Sequence, residues 1–171
     1  RASHRVSARP FTIEDAPALA HPARERHNVL MSSPGASPTD AVPARRVLVA
    51  EDEALIRLDL AEMLRDEGYE IVGEAGDGQE AVDLAESLRP DLVIMDVKMP
   101  RRDGIDAASE IAAKRIAPIV ILTAFSQREL VERARDAGAM AYLVKPFNIS
   151  DLIPAIEVAV SRFSEIAELE K

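Results

Sequence analysis

From residue 46 onward the chain alternates short apolar runs with segments of helical period, five times over. The runs cover residues 47–50, 69–72, 91–95, 118–122 and 139–144 and are rich in Val, Ile and Leu. Stretches this short, without polar alternation, suit strands buried on both faces of a parallel sheet. The second run is partly polar, as a strand at a sheet edge can be. Between the runs lie helices with recognisable ends. Residues 54–67 place Ile56, Leu60, Met63 and Leu64 on one face, and Gly68 can supply a left-handed stop. Asp77 precedes Glu80 at capping-box spacing, and Pro90 ends that helix. A third helix is expected over 105–114. The fourth opens with Ser126 and Glu129 at the same capping spacing and closes at Gly138; the fifth starts near Ser150 or Asp151, which leaves Pro154 in its first turn. Five such units with right-handed crossovers predict an α/β fold, a doubly wound five-stranded parallel sheet with helices on both faces. The fifth helix keeps its apolar period through Leu152, Ile156, Ala159, Phe163 and Ile166. That stripe is longer than a compact sheet covers, so a solvated amphipathic end, or a helix leading toward a partner or further domain, is expected.

Composition removes several chemistries. There is no Cys, which excludes disulfides, thiolate metal sites and cysteine nucleophiles, and the three His (His4, His21, His27) all precede the patterned region. Chemistry in the patterned part therefore runs on carboxylates, Lys and hydroxyls. Residues 1–44 carry five Arg against four acidic residues, whereas the remainder carries 16 basic against 26 acidic ones. A segment that acidic repels phosphate backbones, so direct nucleic-acid binding by it is disfavoured. Six of the eleven Pro fall in residues 1–44, where no apolar period is sustained; this part is read as a disordered N-terminal tail. Met31 opens an ordinary-looking N-terminal stretch, so residues 1–30 are expected to be upstream translated sequence. No apolar run approaches the ~20 residues of a membrane span, and no signal-peptide core is visible; a cytoplasmic protein is expected.

In open parallel sheets the ligand crevice lies at the carboxyl ends of the strands. Glu51, Asp52 and Glu53 follow the first run, Asp96 the third, Thr123 the fourth and Lys145 the fifth. Clustered carboxylates repel and take up protons unless a cation neutralises them. A hard divalent ion with oxygen ligands, Mg2+ most simply, meets that need. Lys145 and Thr123 add positive charge and a donor, so the set is suited to a phosphoryl group, which an Asp can accept as an acyl phosphate. Singly, each signal is weak. Glu53 in particular reads first as a helix cap or turn residue.

The stretches VLVAEDE (47–53), LVIMDVKMPRRDG (92–104), VILTAF (120–125) and AYLVKPF (141–147) together resemble the receiver domain of bacterial two-component response regulators. The resemblance covers residues 46–163. It implies a flavodoxin-like (CheY-like) sheet of strand order 2-1-3-4-5, and divides the chain into a tail (1–44), a receiver (45–163) and a helical extension (164–171). It makes Asp96 the phosphoacceptor, with Mg2+ held by Glu51, Asp52, Asp96 and the backbone carbonyl of Lys98. Lys145 pairs with the acceptor and then with the phosphoryl group, and Lys145–Pro146 is a cis peptide. Thr123 is the switch hydroxyl and Tyr142 the aromatic that moves inward with it, while Met99, Pro100 and Gly104 shape the loop beside Asp96 without reacting. The implied partner is a sensor histidine kinase, and the implied output surface is the face of the fourth helix, fifth strand and fifth helix, through which a homodimer is also conceivable.

Two departures stand out: Glu51 replaces the commoner Asp, and Lys98 places a cation beside the acceptor. The stretches EDEALIRLDLAEML, MDVKMPRRDGIDAA and FSQRELVERARDAGAMAYLVKPF are similar to actinobacterial antiterminator-type regulators, whose receiver precedes a helical RNA-binding ANTAR domain. No ANTAR sequence follows here, so antitermination is expected of a longer parent protein. The function implied is a phosphorylation-driven switch, not a turnover enzyme, with limited self-phosphorylation and autodephosphorylation only. The alternatives are a pseudo-receiver interaction module and, further off, a Mg-dependent aspartyl-phosphate phosphatase, which needs an acidic residue where Lys98 stands.

Overall fold

The computed structural model describes residues 43–124 and 127–171. Strands β1 (Arg46–Ala50), β2 (Glu70–Ala75), β3 (Leu92–Asp96), β4 (Ile119–Thr123) and β5 (Ala141–Val144) alternate with helices α1 (Ala54–Asp66), α2 (Gly78–Leu88), α3 (Gly104–Ala113), α4 (Arg128–Asp136) and α5 (Ile149–Leu169). All pairings are parallel, in the order β2-β1-β3-β4-β5. This is the order the sequence implied.

Alternation along each strand divides the core in two, because successive side chains point to opposite faces. Val47, Val49, Leu92, Ile94, Val120 and Leu122 meet Leu60 and Leu64 of α1 and Leu152, Ile156 and Ala159 of α5. Leu48, Ala50, Val93, Met95, Ile119 and Ile121 meet Ala81, Val82 and Ala85 of α2 and Ala108 and Ile111 of α3. Burying each large aliphatic side chain contributes about 1.5–3 kcal/mol. The alanines on α2 and α3 let those helices sit close to the sheet. Ile56, expected on the inner face of α1, is 39% exposed and borders the site described below.

Most helix ends match the sequence reading and a few correct it. Gly68, at φ 91°, closes α1: its amide donates to the Arg65 carbonyl and that of Tyr69 to the Leu64 carbonyl. Asp77 caps α2 by accepting from the Glu80 amide, but the box is not reciprocal, since the Glu80 carboxylate accepts from the Gly76 amide instead. β2 runs on through Gly73 and Glu74 to Ala75, beyond the 69–72 expected, because its pairing with β1 continues to the Ala50–Ala75 level. α5 begins earlier than Ser150, with Asn148 and Asp151 forming a reciprocal capping box. Pro154 therefore lies in the second turn of α5, not the first, where it lacks the amide that would bond back to Ser150. Ser126 and residues 1–42 fall outside the described residues, so the cap proposed at Ser126 and the tail have no structural counterpart here; the residue at the N-cap of α4 is Gln127.

From its middle to its end α5 is tied to the domain by three arginines. Arg45 bonds Glu157, Arg162 donates to the Met140 carbonyl, and Arg115 pairs with Glu170. The apolar stripe fades along this stretch: Phe163 and Ile166 are half-buried and Leu169 is 85% exposed. Among the described residues no helix is long and apolar enough to cross a membrane.

Candidate metal centre at the carboxyl edge of the sheet

The strand order reverses between β1 and β3, which opens a crevice beyond their carboxyl ends. Register brings the tips level: Ala50 pairs with Met95, Asp96 with Leu122 and Thr123 with Val144. The ladder continues one residue past the strands. The Glu51 amide donates to the Ala75 carbonyl (3.0 Å), that of Val97 to Leu122 (3.1 Å) and that of Lys145 to Thr123 (2.7 Å).

These bonds gather the residues the sequence singled out. Carboxylate oxygens of Glu51, Asp52 and Asp96 lie within 4.8 Å of one another. The Lys145 Nζ donates to Glu51 Oε2 (3.3 Å) and Asp96 Oδ2 (3.2 Å), while Asp96 Oδ1 accepts from the Val97 amide (2.8 Å). Lys98 and Thr123 line the same cleft, of about 500 Å3, with Asp52, Glu53, Asp96 and Lys145. Glu53 occupies the N-cap of α1, but its side chain makes no capping bond. The Lys145–Pro146 peptide is cis. Tyr142 is half-buried against the α2–α3 side of the core and hydrogen-bonded to Thr123; burial raises its phenol pKa and the Thr123 bond opposes the rise.

Burial makes the cluster electrostatically tense. Glu51 is 2% exposed and Asp96 8%, whereas Asp52 is exposed. Desolvation first, then the hydrogen bond and negative charge of Asp96, push the Glu51 carboxyl up to about 7 against the pull of Lys145. Burial alone pushes the Lys145 ammonium down, but Asp96 and Glu51 outweigh it and hold its pKa above the ordinary value. A proton, or a further cation besides Lys145, therefore relieves Glu51 beside Asp96. Three hard oxygen donors, two of them buried and one open to solvent, fit a small divalent ion that keeps some of its water.

The loop after β3 depends on Gly104. Its amide donates to the Val97 carbonyl (2.8 Å), and a Cβ there would lie 1.9 Å from the Asp96 carbonyl oxygen. Any side chain at 104 displaces the loop that carries Lys98. One contact had no signal in the sequence reading: Arg57 of α1 reaches back to the carbonyl of Glu51.

Comparison with known proteins agrees with this geometry. Residues 47–157 match the response regulator receiver domain, and the chain belongs to that family. It is 83% identical over 140 residues to the transcriptional regulatory protein PdtaR of Mycobacterium tuberculosis, a match covering 82% of this chain and 68% of that protein. The chemotaxis protein CheY of Thermotoga maritima is 41% identical over 115 residues, covering 66% of this chain and 94% of CheY. Among solved structures, the CheX–CheY–BeF3–Mg2+ complex of Borrelia burgdorferi aligns with a TM-score of 0.63 at 28% identity, over 66% of this chain and 86% of the matched one. Membership makes this a receiver of two-component signalling, a phosphorylation-dependent system.

Proposed function

We propose that Asp96 is the phosphoacceptor, that Glu51, Asp52, Asp96 and the Lys98 backbone carbonyl hold Mg2+, and that Lys145, Thr123 and Tyr142 bind the phosphoryl group and pass on its arrival. The observation that carries this reading is the meeting of three carboxylates within 4.8 Å with the Lys145 ammonium on two of them. The beryllofluoride and magnesium in the related chemotaxis complex support it, since beryllofluoride adopts the tetrahedral shape of a phosphoryl group.

An Asp96 oxygen attacks phosphorus, the P–N bond of a kinase phosphohistidine protonated on its other ring nitrogen breaks, and the imidazole leaves neutral. Bound Mg2+ supplies charge that offsets repulsion between the phosphoryl oxygens and the carboxylates. Lys145 moves its ammonium from Asp96 to the phosphoryl oxygens. Thr123 donates its hydroxyl to them, releasing Tyr142 from its hydrogen bond. Self-phosphorylation from small donors and slow loss of the group are the only catalysis assigned. The identity to PdtaR supports a transcriptional output, and the resemblance to ANTAR regulators makes it antitermination in a full-length protein.

Intact mass after incubation with Mg2+ and acetyl phosphate tests the assignment. One added phosphoryl group is expected for the unmodified sequence and none for Asp96→Asn. An adduct that persists in Asp96→Asn removes Asp96 from the role, and no adduct on the unmodified sequence favours the pseudo-receiver.

A further inference from the structure

Arg57 stands where the acidic pair meets the rest of the fold. Its Nη1 donates to the Glu51 carbonyl at 2.6 Å in a partly buried setting. Its Nε lies 3.7 Å from the Glu74 carboxylate on β2. A Cβ at Gly76 would sit 3.6 Å from Nη1, so the guanidinium is also packed on the turn that leaves β2. One side chain thus joins α1, the tip of β1 and the tip of β2.

The accepting atom gives this contact its importance. The Glu51 carbonyl belongs to the planar peptide that leads into Asp52, so fixing that plane fixes the direction in which Asp52 departs. Glu51 and Asp96 are oriented by Lys145, and Asp96 also by the Val97 amide. Asp52 is the exposed member of the triad, so packing fixes it less than it fixes Glu51 and Asp96. A charged donor on a carbonyl makes a strong, short hydrogen bond, well suited to hold a peptide in one orientation.

We propose that Arg57 is the positioning residue of the metal centre: its hydrogen bond to the Glu51 carbonyl, braced by Glu74, holds the Glu51–Asp52 peptide so that Asp52 faces a divalent cation. The proposal deepens the metal reading above and rests on it. With its contacts on the Glu51 carbonyl, Glu74 and the Gly76 turn, Arg57 acts through the peptide and not as a ligand.

Magnesium titration of the whole chain tests this, by calorimetry and by amide NMR shifts of Asp52 and Lys98 well below the unfolding temperature. Arg57→Ala is expected to weaken Mg2+ binding about tenfold, as loss of groups that orient metal ligands does, and to displace the Asp52 amide resonance before any metal is added. Arg57→Lys keeps one charged donor and recovers the larger part of the affinity. Glu74→Gln weakens binding less than Arg57→Ala, in the same direction, and carries the test if Arg57→Ala does not fold. A variant that loses thermal stability but binds Mg2+ with the unmodified constant makes Arg57 a brace of the fold and overturns the proposal. If the unmodified chain takes up no Mg2+, the metal reading fails, and the proposal with it.

Discussion

On one side of the cleft, β1 and β3 deliver Glu51 and Asp96 from strands buried almost throughout. On the other, β5 is half-exposed along its whole length, and α4, mostly charged, buries only Ala134. In the proposed function the difference separates two tasks. A metal centre and a phosphoryl acceptor need distances that do not drift, and a close-packed core supplies them. A signal needs an element whose local stability is low enough for one new charge to shift it. Lys145 sits at the join, at the end of β5 with its ammonium on the two buried carboxylates of the other side. Thr123 and Tyr142 make a second join, from β4 to β5.

The contrast can be broken by cutting matched side chains on the two sides. Ile94→Ala, in the fully buried β3, is expected to cost about 3 kcal/mol in chemical denaturation. Leu130→Ala, on the half-buried face of α4, is expected to cost about 1 kcal/mol or less. Equal losses would erase the distinction. Lys145→Ala falls between them, at about 1–2 kcal/mol in the metal-free protein, because the pair it breaks is only partly shielded from water. That variant should still accept a phosphoryl group, while the phosphorylation-dependent NMR shifts around Tyr142 shrink. Full-sized shifts there would take Lys145 out of the coupling.

A further effect concerns pH and sharpens the account of the fixed side. In the metal-free protein Glu51 keeps its proton to about 7, whereas an unfolded chain releases it near the usual 4.5. The folded state therefore holds the extra proton between those values, and its stability declines as pH rises through that window and then levels. Magnesium needs the deprotonated carboxylate, so its affinity falls as pH drops below about 7. Denaturation at about pH 5.5 and about pH 8, with and without Mg2+, should show a larger metal stabilisation at the higher pH. Equal stabilisation at both would mean Glu51 is not part of the centre.

Much of this was legible because burial on both faces leaves an unambiguous mark: the runs around Val49, Ile94 and Ile121 read as inner strands, and the residues just past them read as the site. Edge elements were harder. Gly73 and Glu74 look like turn residues because β2 is covered less completely, and only pairing with β1 shows that the strand continues to Ala75. The start of α5 is ambiguous in the sequence because Asn148, Ser150 and Asp151 all suit a cap, and geometry alone selects Asn148. Arg57 was invisible for another reason: its partner is a backbone carbonyl, which carries no sequence signature.

The most direct test follows both sides of the cleft in one experiment, by mapping amide NMR shifts on adding Mg2+ and then beryllofluoride. Magnesium alone should move residues 51, 52 and 96–98. Beryllofluoride should then extend the changes to Thr123, Tyr142 and α4. Changes that stay confined to the tips of β1 and β3 after beryllofluoride would contradict the division of labour between a fixed centre and a soft output face.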